Sequence, residues 1–285
     1  MIASPSTAHA SQLFNVMGRT YVVTGAASGL GLAIAEVLAA NGGRLLLLDR
    51  DEKGLKDLAS RLQASVASQA VDVADADALR QAVDAFISET GRIDGLFANA
   101  GISGGAGFGT DAGMTSGQLE SQDGNHWRGI LDINLLGVLN SLQAVVPTMK
   151  RQHSGSIVVT ASITGIQAEP FVSYSYAAAK AAVIQLMRQS ALELSPYGVR
   201  VNAIAPGFIK TGIAGGRLHD AQVDGALSRK IPMGRLGAAN EVQGIALLLA
   251  SDAGSYITGS TLTVDGGALL GPSPFIHTQY TDTAR

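Results

Sequence analysis

Tyr176 and Lys180 stand four residues apart in YAAAK, on an alanine-rich stretch predicted to be helical. At that spacing two side chains share one helix face, about 5 to 6 Å apart at Cβ. An ammonium beside a phenol favours the phenolate and lowers its pKa. Tyr176 is therefore a candidate acid or base for an alcohol or carbonyl oxygen. Of the six tyrosines only Tyr176 has lysine at this offset; the others are followed by Gly25, Ala178, Val201, Ser260 and Ala284. An isolated YxxxK is more often a half-buried ring beside a solvated amine, so the surrounding elements must decide. Ser162, closing the predicted strand SIVVTAS, is the nearest hydroxyl that such an acid or base could work with.

A second group of residues suits a dinucleotide. TGAASGLG, residues 24 to 31, lies between the predicted strand RTYVVTG and the predicted helix LGLAIAEVLAANG. Its glycines, Gly25, Gly29 and Gly31, let the backbone turn tightly and approach a pyrophosphate facing the helix N-terminus, with Ser28 and Leu30 between them. Asp49 ends the next strand, RLLLLD, where a carboxylate can accept both hydroxyls of an adenosine ribose and repel a 2′-phosphate. That points to NAD. Arg50 follows at once, and a guanidinium can bind a 2′-phosphate, which leaves NADP open. Asp72 closes a third strand, where its side chain and the Val73 amide face an adenine. Asn99, Ala100 and Gly101 form a small-residue turn after the fourth strand, GLFANAG.

The elements that must position these groups alternate. Helices are predicted from about Asp51 to Leu62, Asp77 to Thr90, Asn125 to Arg151, around Tyr176 to about Ser195, and over EVQGIALLLAS. A sixth strand and its turn lie in RVNAIAPG and a seventh strand in STLTVDGG. Seven strands alternating with helices indicate an α/β fold, a doubly wound, Rossmann-like parallel sheet covered on both faces. In such sheets ligands bind outside the carboxyl ends of the strands. Gly25, Asp49, Asp72, Asn99, Ser162 and Pro206 all fall on that rim. Asn134 interrupts an apolar helical turn, ILDINLLGVL, where its poor helix propensity and its amide demand a reason. The glycine-rich span from Ile102 to Gly124 is long for a loop without a function, and suits a lid or an oligomer contact.

The totals limit the alternatives. With 285 residues, 46% of them apolar, and a net charge of −3, the chain fits one large domain. Its organisation reads as a loose segment over 1–18, a catalytic domain over 19–270 and a tail over 271–285 carrying Phe275, His277 and Tyr280. No basic patch invites nucleic acid. Cysteine is absent, which excludes disulfides and thiolate chemistry. The five histidines show no ligand spacing, so no metal is expected. No basic start with a long apolar core opens the chain and no run approaches 18 apolar residues, so the expectation is a cytoplasmic protein without a membrane partner.

Taken in order, these motifs resemble the short-chain dehydrogenase/reductase family, in its single-domain branch, from about Arg19 to Gly267. TGAASGLG resembles its cofactor loop and ANAG its fourth-strand turn. Asn134, Ser162, Tyr176 and Lys180 fall where its catalytic tetrad is expected. PGFIKT, from Pro206 and Gly207 through Ile209 to Thr211, resembles its PGxxxT element, in which Thr211 would hold the nicotinamide carboxamide. Ser162 and Tyr176 are fourteen apart, one more than the common family spacing, and IQAEPFVSY can absorb the extra residue. The resemblance implies hydride transfer between NAD and a secondary alcohol or its ketone. Tyr176 would move the proton, Ser162 would hold the oxygen, Lys180 would lower the Tyr176 pKa and grip the nicotinamide ribose, and Asn134 would support a water linked to the lysine. It also implies a homotetramer using the Tyr176 helix and the last strand.

Two other readings compete. One is an NADPH-dependent carbonyl or carrier-bound 3-oxoacyl reductase, against which Asp49 and Ser28 argue. The other is a catalytically silent dinucleotide-binding regulator, against which the full tetrad argues. Ile102, Ile163, Ile166, Phe171, Phe208 and Ile213 are expected to wall a largely apolar substrate site, with no arginine clamp evident in those segments.

Overall fold

Strand β1 (Thr20–Thr24) is TYVVT, five β-branched or aromatic residues in a row, all buried. A strand covered on both faces carries such a continuous run rather than an alternation. β2 (Arg44–Asp49) repeats the pattern with four consecutive buried leucines. β3 (Val66–Ala70) is largely exposed, as suits an edge. β4 (Gly95–Ala98), β5 (Gly155–Thr160), β6 (Val199–Pro206) and β7 (Thr261–Val264) complete a parallel sheet in the order β3-β2-β1-β4-β5-β6-β7. The computed structural model describes residues 9–62 and 65–272. Most of the first segment expected to be loose, and Phe275, His277 and Tyr280 of the tail, lie outside the described residues.

Helices cover the two faces. On one lie α3 (Ala76–Thr90), α4 (Gly124–Gln152) and α5 (Tyr174–Leu194), packed on Val22, Leu46, Leu48 and Ile157. On the other lie α1 (Gly29–Ala40), α2 (Glu52–Arg61) and α7 (Gln243–Ala250), packed on Val23, Leu45, Leu47 and Val158. Neighbouring residues of one strand thus enter opposite cores, which is the period-2 geometry of a pleated strand. A third, small cluster of Leu227, Ile231 and Leu236 sits apart, against Phe171 and Phe208, and belongs to the segment holding α6 (Ala221–Ser228).

α4 spans 29 residues and is long and apolar enough, by length and composition, to cross a bilayer. Here Val138, Leu142, Val145 and Met149 are committed to the sheet. It is not uniform: Asp132–Leu136 forms a π-helical turn, the bulge often found where a helix serves a site. β3 stops at Ala70, so Asp72 lies in the turn after the strand instead of closing it, and its carboxylate accepts the Ala74 N–H at 2.9 Å.

Candidate active site

The strand order reverses between β1 and β4, and the crevice there opens into a cavity of about 930 Å³ along the carboxyl ends of the strands. Its floor begins with the glycine loop. Gly25 has φ +66, and a Cβ there would lie 2.8 Å from the Ala100 Cα. Gly29 (φ +57) opens α1, and Ser28 caps that helix without a side-chain hydrogen bond, so the N–H groups of the first turn face the cavity unclaimed by Ser28. Gly25, Ser28, Gly29 and Leu30 line the space, while Gly31 does not. A Cβ on Gly31 would stand 2.0 Å from the Gly25 oxygen and 2.5 Å from Asn99 Nδ2, so helix-to-loop packing requires this glycine.

Asn99 holds the rim together. Its amide nitrogen donates to the Gly25 oxygen (3.2 Å), its oxygen accepts from Thr160 Oγ1 (3.0 Å), and the N–H groups of Asn99 and Ala100 donate to Thr24 Oγ1. Asp49 accepts the Ala27 N–H with one carboxylate oxygen and the Asp51 N–H with the other, each at 3.0 Å. Arg50, Asp72, Val73, Ala100 and Gly101 also line the cavity, as do Pro206, Gly207, Ile209 and Thr211, and a Cβ on Gly29 would lie 3.4 Å from Thr211.

Ser162, Tyr176 and Lys180 line the same cavity. Ser173 caps α5 and places Tyr176 in its first turn. Lys180 is 2% exposed, donates to the Thr160 oxygen at 2.7 Å, and lies 5.6 Å from the Tyr176 ring centre. Burial weighs more on the phenol here than the ammonium does. Burial pushes the Tyr176 phenol up to about 12, with the Ser162 hydroxyl pulling the other way, and burial brings Lys180 down to about 8. The Lys180 donor is turned to a carbonyl, which leaves burial as the larger effect on the phenol.

Asn134 stands close to the lysine. It is fully buried behind the cavity wall, and its amide pairs with both the N–H and the oxygen of Ile102, each at 2.9 Å. Its side chain fixes the turn after β4 and has no direct part in the cavity. A Cβ on Gly101 would lie 2.7 Å from its Oδ1 and 3.6 Å from Lys180 Nζ, which places the amide close behind the lysine.

Ile102, Ile163, Phe171, Phe208 and Ile213 wall the cavity as expected, but Ile166 is 49% exposed and faces away. Residues that the strand pattern did not single out complete the wall: Thr164, Val172, Leu218, Val223 and Leu227, with Arg217 as a cation inside segments where none was expected. The 102–124 span roofs the cavity through Ser103, Gly105 and Gly109 to Ala112. It is held by the Gly109 N–H on the Pro170 oxygen (2.8 Å), an antiparallel bridge between Ala106 and Val172, and Phe108 stacked on Tyr174.

The family described as enoyl-(acyl carrier protein) reductase matches residues 25–268. A 3-oxoacyl-[acyl-carrier-protein] reductase of Thermotoga maritima is 38% identical over 89% of this chain and 98% of its own. The chain is a short-chain dehydrogenase/reductase. Solved members of that family share its fold. A carveol dehydrogenase from Mycobacterium avium in complex with NAD has a TM-score of 0.79 and 33% identity, covering 90% of this chain and 99% of its own. A gluconate 5-dehydrogenase from Burkholderia cenocepacia in complex with NADP and tartrate has a TM-score of 0.83 and 33% identity, over 92% and 99%. As a short-chain dehydrogenase/reductase the chain is an oxidoreductase of nicotinamide dinucleotides, and the two complexes show both cofactors on this scaffold.

Proposed function

We propose that this short-chain dehydrogenase/reductase interconverts a secondary alcohol and its ketone with NAD(H). The observation that carries the reading is the convergence of Ser162, Tyr176 and Lys180 in one cavity with the open N-terminus of α1 and the Asp49 carboxylate. A dinucleotide fits what the chain offers there. The N–H groups at Gly29 suit its pyrophosphate, Asp49 its adenosine ribose, Asp72 and Val73 its adenine, Asn99, Ala100 and Gly101 its middle, and Lys180 its nicotinamide ribose. When bound, it supplies the ring that takes or gives the hydride.

The chain's own groups handle the proton. Tyr176 is protonated at neutral pH, since burial holds its phenol near 12, so the fold presents an acid ready to protonate the oxygen of a ketone being reduced. In oxidation the same oxygen takes the alcohol proton, once the positive charges of Lys180 and an oxidised nicotinamide lower the phenol. Ser162 donates a hydrogen bond to the reacting oxygen and holds it beside Tyr176. Asn134 keeps the turn before the roof in place, through Ile102. Hydrophobic walls from Phe171, Phe208, Val223 and Leu227 suit a largely apolar substrate.

NAD is preferred in this reading because Asp49 is already fixed by two backbone donors and would meet a 2′-phosphate with like charge. The competing reading, an NADPH-dependent reductase acting on carrier-bound 3-oxoacyl groups, draws on Arg50 in the cavity wall and on the likeness to the Thermotoga maritima protein. A homotetramer joined through α5 and β7 belongs to the same proposal, supported by Leu192 of α5, 76% exposed. A panel of secondary alcohols and ketones, including cyclohexanol, carveol and a 3-oxoacyl thioester, assayed with NAD(H) and NADP(H) in parallel, tests it. Faster turnover of alcohols with NAD is the expected result. Turnover confined to NADPH and the thioester favours the competitor.

A further inference from the structure

Ser162 is the donor that must face the reacting oxygen, yet a serine hydroxyl rotates freely and can present a lone pair as readily as its proton. The turn that follows β5 limits that freedom. Ser162 has extended backbone (φ −165, ψ 155) and caps the short 3-10 turn Ile163–Gly165. The Thr164 N–H donates to Ser162 Oγ at 3.2 Å, an ordinary cap that any residue but proline supplies at 164. The Thr164 hydroxyl donates to the same oxygen at 2.9 Å, which only serine or threonine can do. Both residues are 8% exposed. Gly165 locks the turn against α5, since a Cβ there would lie 2.6 Å from the backbone carbon of Lys180.

We propose that Thr164 is a positioning residue of the active site: by filling both acceptor positions of Ser162 Oγ it leaves the serine proton as the one hydrogen bond that oxygen can still make. Ser162 then acts as a committed donor, first to the Tyr176 oxygen and then to the substrate oxygen between them. A donor set before the reaction needs no reorientation as negative charge grows on that oxygen. Ser162 and Tyr176 line the same cavity. In this role Thr164, itself in the cavity wall, acts through Ser162.

The inference rests on the dehydrogenase reading for its purpose but not for its test. Full-length protein carrying tyrosine labelled with 13C at Cζ gives six ring signals, among which Tyr176→Phe identifies the one from Tyr176. That shift reports hydrogen bonding at the phenol oxygen without substrate or dinucleotide. Ser162→Ala is expected to move it, Thr164→Val to move it the same way, and Thr164→Ser to restore it, with the thermal midpoint of Thr164→Ser near that of the parent. On any alcohol turned over in the panel, Thr164→Val is expected to lower kcat by roughly 3- to 10-fold, the worth of one hydrogen bond, with NADH affinity unchanged. An unmoved Tyr176 signal in Thr164→Val overturns the proposal, whether or not Ser162→Ala moves it. So does a moved signal that Thr164→Ser fails to restore, which would mark a packing role. A protein that turns over nothing in the panel yet shows both expected shifts and the restoration keeps this inference and loses the dehydrogenase reading instead.

Discussion

The two ends of the cavity are built from different materials. The end suited to a dinucleotide is backbone: glycines too close to their neighbours to carry a Cβ, N–H groups at the start of α1, and a carboxylate pinned by two amides. The other end is side chain, with walls drawn from the 102–124 roof, the 163–172 turn and the segment holding α6. Backbone geometry changes little when one residue is replaced by another, whereas side-chain walls change with every substitution. Such a division keeps cofactor chemistry constant while leaving substrate choice free, and Ser162, Tyr176 and Lys180 stand at the seam.

The sharpest break in this contrast is Gly31→Val. Its Cβ would meet the Gly25 oxygen at 2.0 Å, so the glycine loop has to move. NADH affinity, followed by fluorescence titration, is expected to fall by about 100-fold or more, corresponding to roughly 3 kcal/mol of overpacking. Unchanged affinity would show that the backbone end tolerates what its geometry forbids.

Lys180→Met probes the seam. The fold disfavours the lysine proton and releases it at about pH 8, while the unfolded chain keeps it to about the ordinary 10.5. Between those values the unfolded state binds more protons, so the parent gains stability as pH rises through the window. The variant should be the more stable protein at pH 7, and its advantage should shrink by about 3 kcal/mol by pH 10.5 in urea titrations. An advantage independent of pH would mean that the ammonium is not penalised by burial.

Asp49→Ala should lower kcat/KM with NAD by roughly 10- to 100-fold, as expected for losing hydrogen bonds to a charged group, and narrow the gap to NADP. If NADP was the faster cofactor from the start, Arg50 and not Asp49 sets the preference. The smallest effect belongs to the side-chain end. Lys230 lies 3.9 Å above the Phe171 ring and ties the α6 segment to the cavity wall. Lys230→Gln should raise KM by roughly two- to five-fold, with NADH binding untouched.

The same division explains what could be read in the sequence. The strands, the rim positions of Asp49, Asn99 and Ser162, and the YxxxK pair follow from local rules, since buried strands are continuous apolar runs and i, i+4 residues share a helix face. Gly31 was legible as a required glycine but not for its reason, because the atom it must avoid belongs to Gly25. Asn134 announced itself by poor propensity, yet its partner, the Ile102 backbone, is 32 residues away in the chain. Lys180 and Tyr176 were legible as neighbours, whereas their shifted pKa values depend on burial by both layers of the fold. Ile166 is exposed and not in the cavity wall, which the sequence does not signal because a turn has no period to assign it. Thr164, Leu218 and Leu227 gave no signal of their own. A hydroxyl two residues beyond the strand-end serine is the one clue that could have marked Thr164.

The most direct test sets Tyr176→Phe beside the parent in the alcohol panel, with NADH binding measured on both. Removing one hydroxyl at the seam should leave NADH affinity within about two-fold and cut turnover by roughly 10³-fold, within the range for losing a general acid or base. A phenylalanine protein that oxidises alcohols as fast as its parent would contradict the account at its centre.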